Sequence, residues 1–397
     1  MKKNKCEKSL YIMFISLIMF TFLGCKGGDD SEKLPYRTVI AYMGGDNNLS
    51  KDLRTNIDSM EVAYNGDGNF IIYYDANNST PKLIQLVKEN GVTKENIIKE
   101  YEESKASSPE VMKDVIDEVI KRFPAQTYGL IVSSHGDGWL PKKISFETRA
   151  IIADGSTTTD YMEIDELQGV LVDYKFEYIL FDACLMSNVE SCYAFRNDTK
   201  YIIASVAEIP GTGFPYANIM NELLTGSTEI DYKDICRKYY ESNMMDTSIG
   251  WASITLIKTD EFETLASISK EILQKYKDDI EEFLLDENNI RGIQYYDRNN
   301  LIDYIDYALS DLKDFYQNFY NEAERTNFLD ALNSVVIYTQ SSDYLVWNYI
   351  QVKEGAYSGI STYLPRYSQA ALNDYYNTHF EWATDSGMTD IISSFAK

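Results

Sequence analysis

Six short apolar runs recur along the first two thirds of the chain: RTVIAYM, NFIIYY, YGLIVSS, EYILFDA, YIIASVA and ASITLI. Each is rich in β-branched or aromatic residues and is bounded by turn formers, the pattern of a buried strand. Helical periodicity fills many of the gaps, in LSKDLRTNIDSMEVAY, SPEVMKDVIDEVIKRF, IDELQGVLVDY and SNVESCYAF. In the second of these, Ser108 stands at the N-cap position and Pro109 at the first helical one. Strands that alternate with helices predict an α/β fold, a mostly parallel sheet flanked by helices on both faces. In such a sheet ligands bind at the carboxyl ends of the strands. PKLIQLVKEN reads as an added hairpin strand.

The texture changes after Thr259. Residues 260–330 read as two long helices, EFETLASISKEILQKYKDDIEEFLL and LIDYIDYALSDLKDFYQNFYNEAE. A β-rich piece follows, with SVVIYTQ and GISTYLP, and then a helix over Gln369–Trp382. The expected layout is an α/β body over 36–259 and an appended α+β subdomain over 260–397, partly packed on the sheet.

The first residues do not belong to that body. MKKNKCEKSL is basic, YIMFISLIMFTFL is apolar, and Gly24 precedes Cys25. A positive end, a short apolar core and a small residue before the boundary make an export signal, too short for a comfortable membrane span. The ending FLGC resembles a bacterial lipoprotein signal, which implies removal of 1–24, lipidation of Cys25 and a polar tether over 25–35. Acidic residues just after the cysteine resemble surface-export signals of some diderm lipoproteins. The expected location is the cell envelope, at the outer membrane or cell surface, held by an N-terminal lipid anchor.

Export gives the cysteines meaning. Cys6 would leave with the signal and Cys25 would carry lipid, leaving Cys184, Cys192 and Cys236. Three is odd, so at least one thiol stays unpaired where disulfides are the usual fate. The charge argues against one class of partner. With 62 acidic against 37 basic residues, net −25, and no basic block, the chain should be repelled by nucleic acid. Basic polypeptides are the natural electrostatic partners.

Two strand ends carry chemistry. YGLIVSS runs into His135 and Gly136; EYILFDA runs into Cys184, with Ser187 read as the start of a helix. A cysteine between a strand and a helix N-terminus meets unpaired N–H groups and a positive dipole end, which favour the thiolate. If the two strands are neighbours, imidazole and sulfur meet at one edge, as a Cys–His pair requires. His379, the other histidine, sits in a helical segment and reads as an ordinary helix residue, and Cys192 and Cys236 read as buried thiols. No cofactor is expected. There is no HExxH, paired CxxC or phosphate-binding loop. DNNLSKD and NGDGN do not match an EF-hand loop and read as turns and caps, leaving weak calcium binding open.

Taken in order, VIAYMGGDNNL, IVSSHGDGW, FDACLMSNVE and ASVAEIPGTGFPY resemble clostripain-like cysteine peptidases, relatives of gingipains, legumains, separases and caspases. The match covers roughly residues 36–260. The separation of His135 from Cys184 is close to the ~50 residues of caspase-type enzymes. The resemblance implies a caspase-like fold and peptide-bond hydrolysis through an acyl-enzyme. His135 would be the general acid/base, Cys184 the nucleophile, and the N–H groups of Gly136 and Cys184 the oxyanion hole, with no third triad member. It implies cleavage after Arg or Lys, with Asp182 holding the cation and Glu208 as a second acid. Relatives often carry an acid inside the PGxG turn, where this chain has Thr212. Trp139 would wall the cleft or simply pack. Self-cleavage is implied in the loop over 141–156, which offers Lys142, Lys143 and Arg149, best at the Arg149–Ala150 bond. A surface lipoprotein that binds glycan or protein without catalysis is the competing reading, alongside a degenerate peptidase and a transpeptidase.

Overall fold

The computed structural model describes residues 34–102, 105–141, 151–155, 160–225, 230–297 and 308–395. The leader, Cys25, Lys142, Lys143, Arg149 and Ala150 lie outside them.

The strands are β1 (Arg37–Gly45), β2 (Asn69–Ala76), β3 (Lys82–Glu89), β4 (Val92–Glu100), β5 (Thr127–Ser133), β6 (Ile151–Asp154), β7 (Asp160–Met162), β8 (Phe176–Asp182), β9 (Thr199–Ala204), β10 (Ser253–Lys258), β11 (Leu309–Asp311) and β12 (Val336–Ser341). Nine of them form one sheet in the order β12-β10-β9-β8-β5-β1-β2-β3-β4. The five from β9 to β2 run parallel, and β3, β4 and β10 are antiparallel to their neighbours. All nine residues of β1 are buried, as a strand covered on both faces must be.

Alternation along β1 divides the core. Ile40 and Tyr42 face one layer, which includes α2 (Pro109–Arg122), α3 (Ile164–Leu171) and α4 (Val189–Ala194); Val39, Ala41 and Met43 face the other, with α1 (Ser50–Ala63), α5 (Tyr216–Leu224) and α6 (Tyr232–Met245). The cap read at Ser108 is present: its side chain accepts from Val111 N at 3.4 Å. β3 and β4 form the hairpin at one edge, turning on Asn90 and Gly91 with φ of 53° and 81°, the left-handed pair that suits a two-residue turn. Mostly exposed residues, several of them charged, cover β4 and discourage pairing at that edge.

The second long helix expected in the C-terminal region does not form. Its described part gives β11, a short helix Leu312–Tyr316 and a helix Glu322–Val335. Asp311 is the reason. Its buried carboxylate accepts from Tyr296 Oη, the backbone N–H and hydroxyl of Ser358, and Asp314 N, at 2.7–3.1 Å. Those ties, with β11 pairing on Ser361–Tyr363, outweigh helix propensity. The first long helix is broken at Tyr276 into Phe262–Lys275 and Lys277–Leu285. SVVIYTQ becomes β12 and completes the main sheet against β10.

Candidate active site

β5 and β8 are parallel neighbours, and their last pair is Ser133 with Asp182. His135 and Cys184 each lie two residues beyond that pair, so both leave the sheet at one edge. The approach is close. A Cβ added at Gly136 would lie 3.0 Å from Cys184 O and 3.5 Å from Cys184 N. Glycine suits this position because a side chain would press on the backbone that carries the sulfur.

Two neighbours fix His135. Its Nε2 lies 2.5 Å from Asn48 Oδ1. An amide oxygen only accepts, so Nε2 is the donor in this contact. Asn48 sits in the turn after β1, held by Asn47, whose Nδ2 donates to Ala153 O at 2.7 Å and whose Oδ1 accepts from Leu49 N at 2.8 Å. From the other side, Ile152 N donates to His135 O at 3.1 Å, and Gly136 bridges to Ile151. Ile152 has φ of 56°, a costly conformation for a β-branched residue, and is fully buried. Asn48 is the partner that the sequence concealed; DNNL at the carboxyl end of a strand reads equally well as a turn and a helix cap.

Cys184 is half-buried and unpaired. Leu185 follows it at φ 62°, a sharp turn that aims the sulfur away from the strand. The helix does not begin at Ser187. α4 starts at Val189, with Asn188 Oδ1 capping Ser191 N at 2.8 Å. The N–H group recorded on the sulfur is that of Ile209, at 3.3 Å. The expected stabilisation by a helix end is therefore replaced by one loop amide. Burial, with the nearby charges of Glu208, Asp137 and Asp182, pushes the thiol up to about 12.

Asp182 is buried beneath the loop after β9. Ser133 Oγ and Tyr216 Oη both donate to its Oδ2, at 2.9 and 2.8 Å, and the backbone of Phe214 adds a further hydrogen bond to the carboxyl. Burial raises its pKa. Gly213, at φ 67°, passes directly over this carboxylate: a Cβ there would lie 2.7 Å from Oδ2 and 2.8 Å from the unpartnered Asn56 Nδ2. Glu208 and Thr212 are exposed in the same loop. The structure thus gathers His135, Gly136, Asp182, Cys184 and Glu208, and adds Asn48, Ser133 and Tyr216.

Trp139 does not join them. It is fully buried, with Tyr363, Tyr376 and Phe380 around it at centroid distances of 5.2–5.4 Å, so packing, not a cleft wall, is its role. His379 stacks on Tyr375 and meets Asp165 at 2.7 Å, on a helix of the C-terminal region. Cys192 and Cys236 are fully buried. Among the described residues, no group of three or more His, Cys, Asp or Glu side chains is placed to hold a metal ion.

Comparison with known proteins fits this geometry. The model of the clostripain family (peptidase C11) matches residues 41–394. An inactive zymogen C11 protease from Parabacteroides distasonis superposes with a TM-score of 0.77 at 31% identity, covering 89% of this chain and 98% of that one. A secreted C11 cysteine protease from Bacteroides thetaiotaomicron, solved with an irreversible peptide inhibitor, gives 0.76 at 28% identity, covering 88% and 98%. Clostripain from Hathewaya histolytica is 26% identical over 245 residues, 53% of this chain; the chain spans about half of that relative, 47% of its length. The chain belongs to the clostripain family of C11 cysteine proteases.

Proposed function

We propose that this protein is an exported cysteine endopeptidase that cleaves peptide bonds after arginine or lysine, using Cys184 and His135. The observation that carries this reading is the register of β5 on β8, which sends both residues out of one sheet edge. Attack would be concerted with deprotonation, because the resting sulfur is a thiol. As Cys184 Sγ adds to the carbonyl carbon, its proton passes to His135 Nδ1, and Asn48 holds the ring through Nε2. The tetrahedral oxyanion would face the N–H groups of Gly136 and Cys184, a device typically worth about 10²–10³ in rate per donor. Collapse expels the amine, which takes the proton from His135. Water then cleaves the thioester with His135 again as base.

Asp182 supports the preference for a cation. A guanidinium or ammonium beside this buried carboxyl would supply the opposite charge that favours its ionised form. Glu208 would add charge at the rim. The absence of an acid at Thr212 leaves Asp182 as the principal determinant. A peptide ligand is in keeping with this reading, since the Bacteroides relative was solved with an irreversible peptide inhibitor. We further propose that lipid on Cys25 holds the mature protein to the envelope, and that cleavage at Arg149–Ala150 activates it.

The test is turnover. Purified mature protein, cut within 141–156, should hydrolyse fluorogenic peptides ending in Arg or Lys far faster than those ending in Leu or Glu. No turnover of any of them by the cut protein would remove the reading.

A further inference from the structure

The acid that protonates a leaving amine must stand on the leaving-group side of the sulfur. With His135 on β5, the acyl half of a substrate therefore extends the opposite way, over β9, β10 and β12. This argument rests on the peptidase reading above. The sheet shows what lies in that direction. β10 is antiparallel to β9, with Thr255 opposite Ala204, and β12 is antiparallel to β10, with Ser253 opposite Ser341. The start of β10 and the end of β12 thus reach the edge that bears Cys184. Just beyond it lie Trp251 and a hairpin in which Tyr344 pairs with Gln351.

The hairpin is tied down firmly. Ser342 N donates to Ala252 O at 3.0 Å, Ala252 N donates to Ser342 Oγ at 3.2 Å, and the hydroxyls of Ser205 and Ser253 meet at 2.6 Å. Its tip is unusual. Val346, Trp347 and Asn348 have φ of 49°, 50° and 70°, three consecutive left-handed residues without a glycine, where L side chains are disfavoured. Strain of this kind concentrates where a ligand is held. Here it keeps an indole in solvent: Trp347 is 56% exposed and Tyr344 43%. The Trp347 and buried Trp251 rings meet in a T-shaped pair, with centroids 5.4 Å apart and planes at 71°, so the exposed indole is braced on one side and open on the rest.

Reach fixes the substrate position. Neighbouring strands are about 4.8 Å apart, so β10 and β12 lie roughly 10–14 Å from β8, and an extended peptide advances about 3.4 Å per residue. We propose that Trp347, backed by Trp251 and flanked by Tyr344, is a specificity subsite for an apolar side chain on the third or fourth substrate residue upstream of the cleaved bond.

The experiment uses cut, mature protein and peptides that all end in Arg before the fluorophore, with Gly, Leu, Phe, Lys or Asp at the third or fourth upstream position. Leu or Phe should raise kcat/KM about tenfold over Gly, as expected for partial burial of one such side chain. In Trp347→Ala that ratio should fall to about one, and Trp347→Phe should restore part of it; an unchanged thermal midpoint shows the variants folded. A ratio that persists in Trp347→Ala, no ratio in the wild type, or a preference for Lys would overturn the subsite while leaving the peptidase reading intact. Turnover of no peptide at all would overturn both.

Discussion

The parallel half of the sheet and the C-terminal region hold Cys184 and its loop in different ways. In β1, β2, β5, β8 and β9 the strands are continuous apolar runs, buried by contacts that their own composition demands. After Thr259 the structure is decided by buried polar ties between distant segments. Ser361 N donates to Ser187 O at 3.0 Å and Ser187 Oγ to Gly359 O at 2.7 Å. Glu190, in the helix that follows Cys184, accepts from Tyr363 N, Thr362 Oγ1 and Tyr376 Oη at 2.8–3.2 Å. The parallel strands deliver Cys184 to the edge; the C-terminal region clamps the loop that leads away from it. Apolar pattern sets the first, and partner identity sets the second.

Substitutions in each region should therefore fail differently. The largest loss is expected for His135→Ala, about 10²–10⁴-fold in kcat with the thermal midpoint unchanged, since the residue contributes chemistry rather than packing. Asp182→Asn should cost on the order of 10²-fold in kcat/KM for Arg- and Lys-ending peptides and much less for uncharged ones. A specificity ratio that does not move would remove Asp182 from cation recognition. Glu190→Ala should act through the fold: it leaves a buried N–H and two hydroxyls short of an acceptor, at about 1–3 kcal/mol each. Chemical denaturation should show that loss together with a lower kcat. A stable variant with full activity would break the idea of a clamp.

The smallest effect concerns pH. Asp75, buried at the end of β2, is raised to about 7 by burial and by the charges of Asp154 and Asp46. The folded state then binds a proton more readily than the unfolded chain, so stability falls as pH rises from about 4 to 7. Asp75→Asn should make this slope shallower and raise the thermal midpoint by about 2–4 °C at pH 8, with little change at pH 4.

This contrast also explains what could be read from the sequence. The strand ends just before His135 and Cys184 were legible because the apolar runs stop there. The segment holding Asp311 was not, because LIDYIDYALSDLKDFYQNFY has helical periodicity and only its ties to Tyr296 and Ser358 forbid a helix. Asn48 was missed for a related reason: its role depends on a partner 87 residues away. The helix start was placed at Ser187, two residues before α4 begins, because the cap at Asn188 reads equally well as part of the helix. Trp139 shows the limit from the other direction, since a tryptophan beside a catalytic motif carries no sign of which side it faces.

Site-specific alkylation tests the central pairing most directly. Cut, mature protein treated with an arginyl chloromethyl ketone, then mapped by peptide mass spectrometry, has three cysteines in its folded body to report on. Modification confined to Cys184, and slowed strongly in His135→Ala, is the predicted result. Label on buried Cys192 or Cys236 instead, or equal rates with and without the imidazole, would contradict the account.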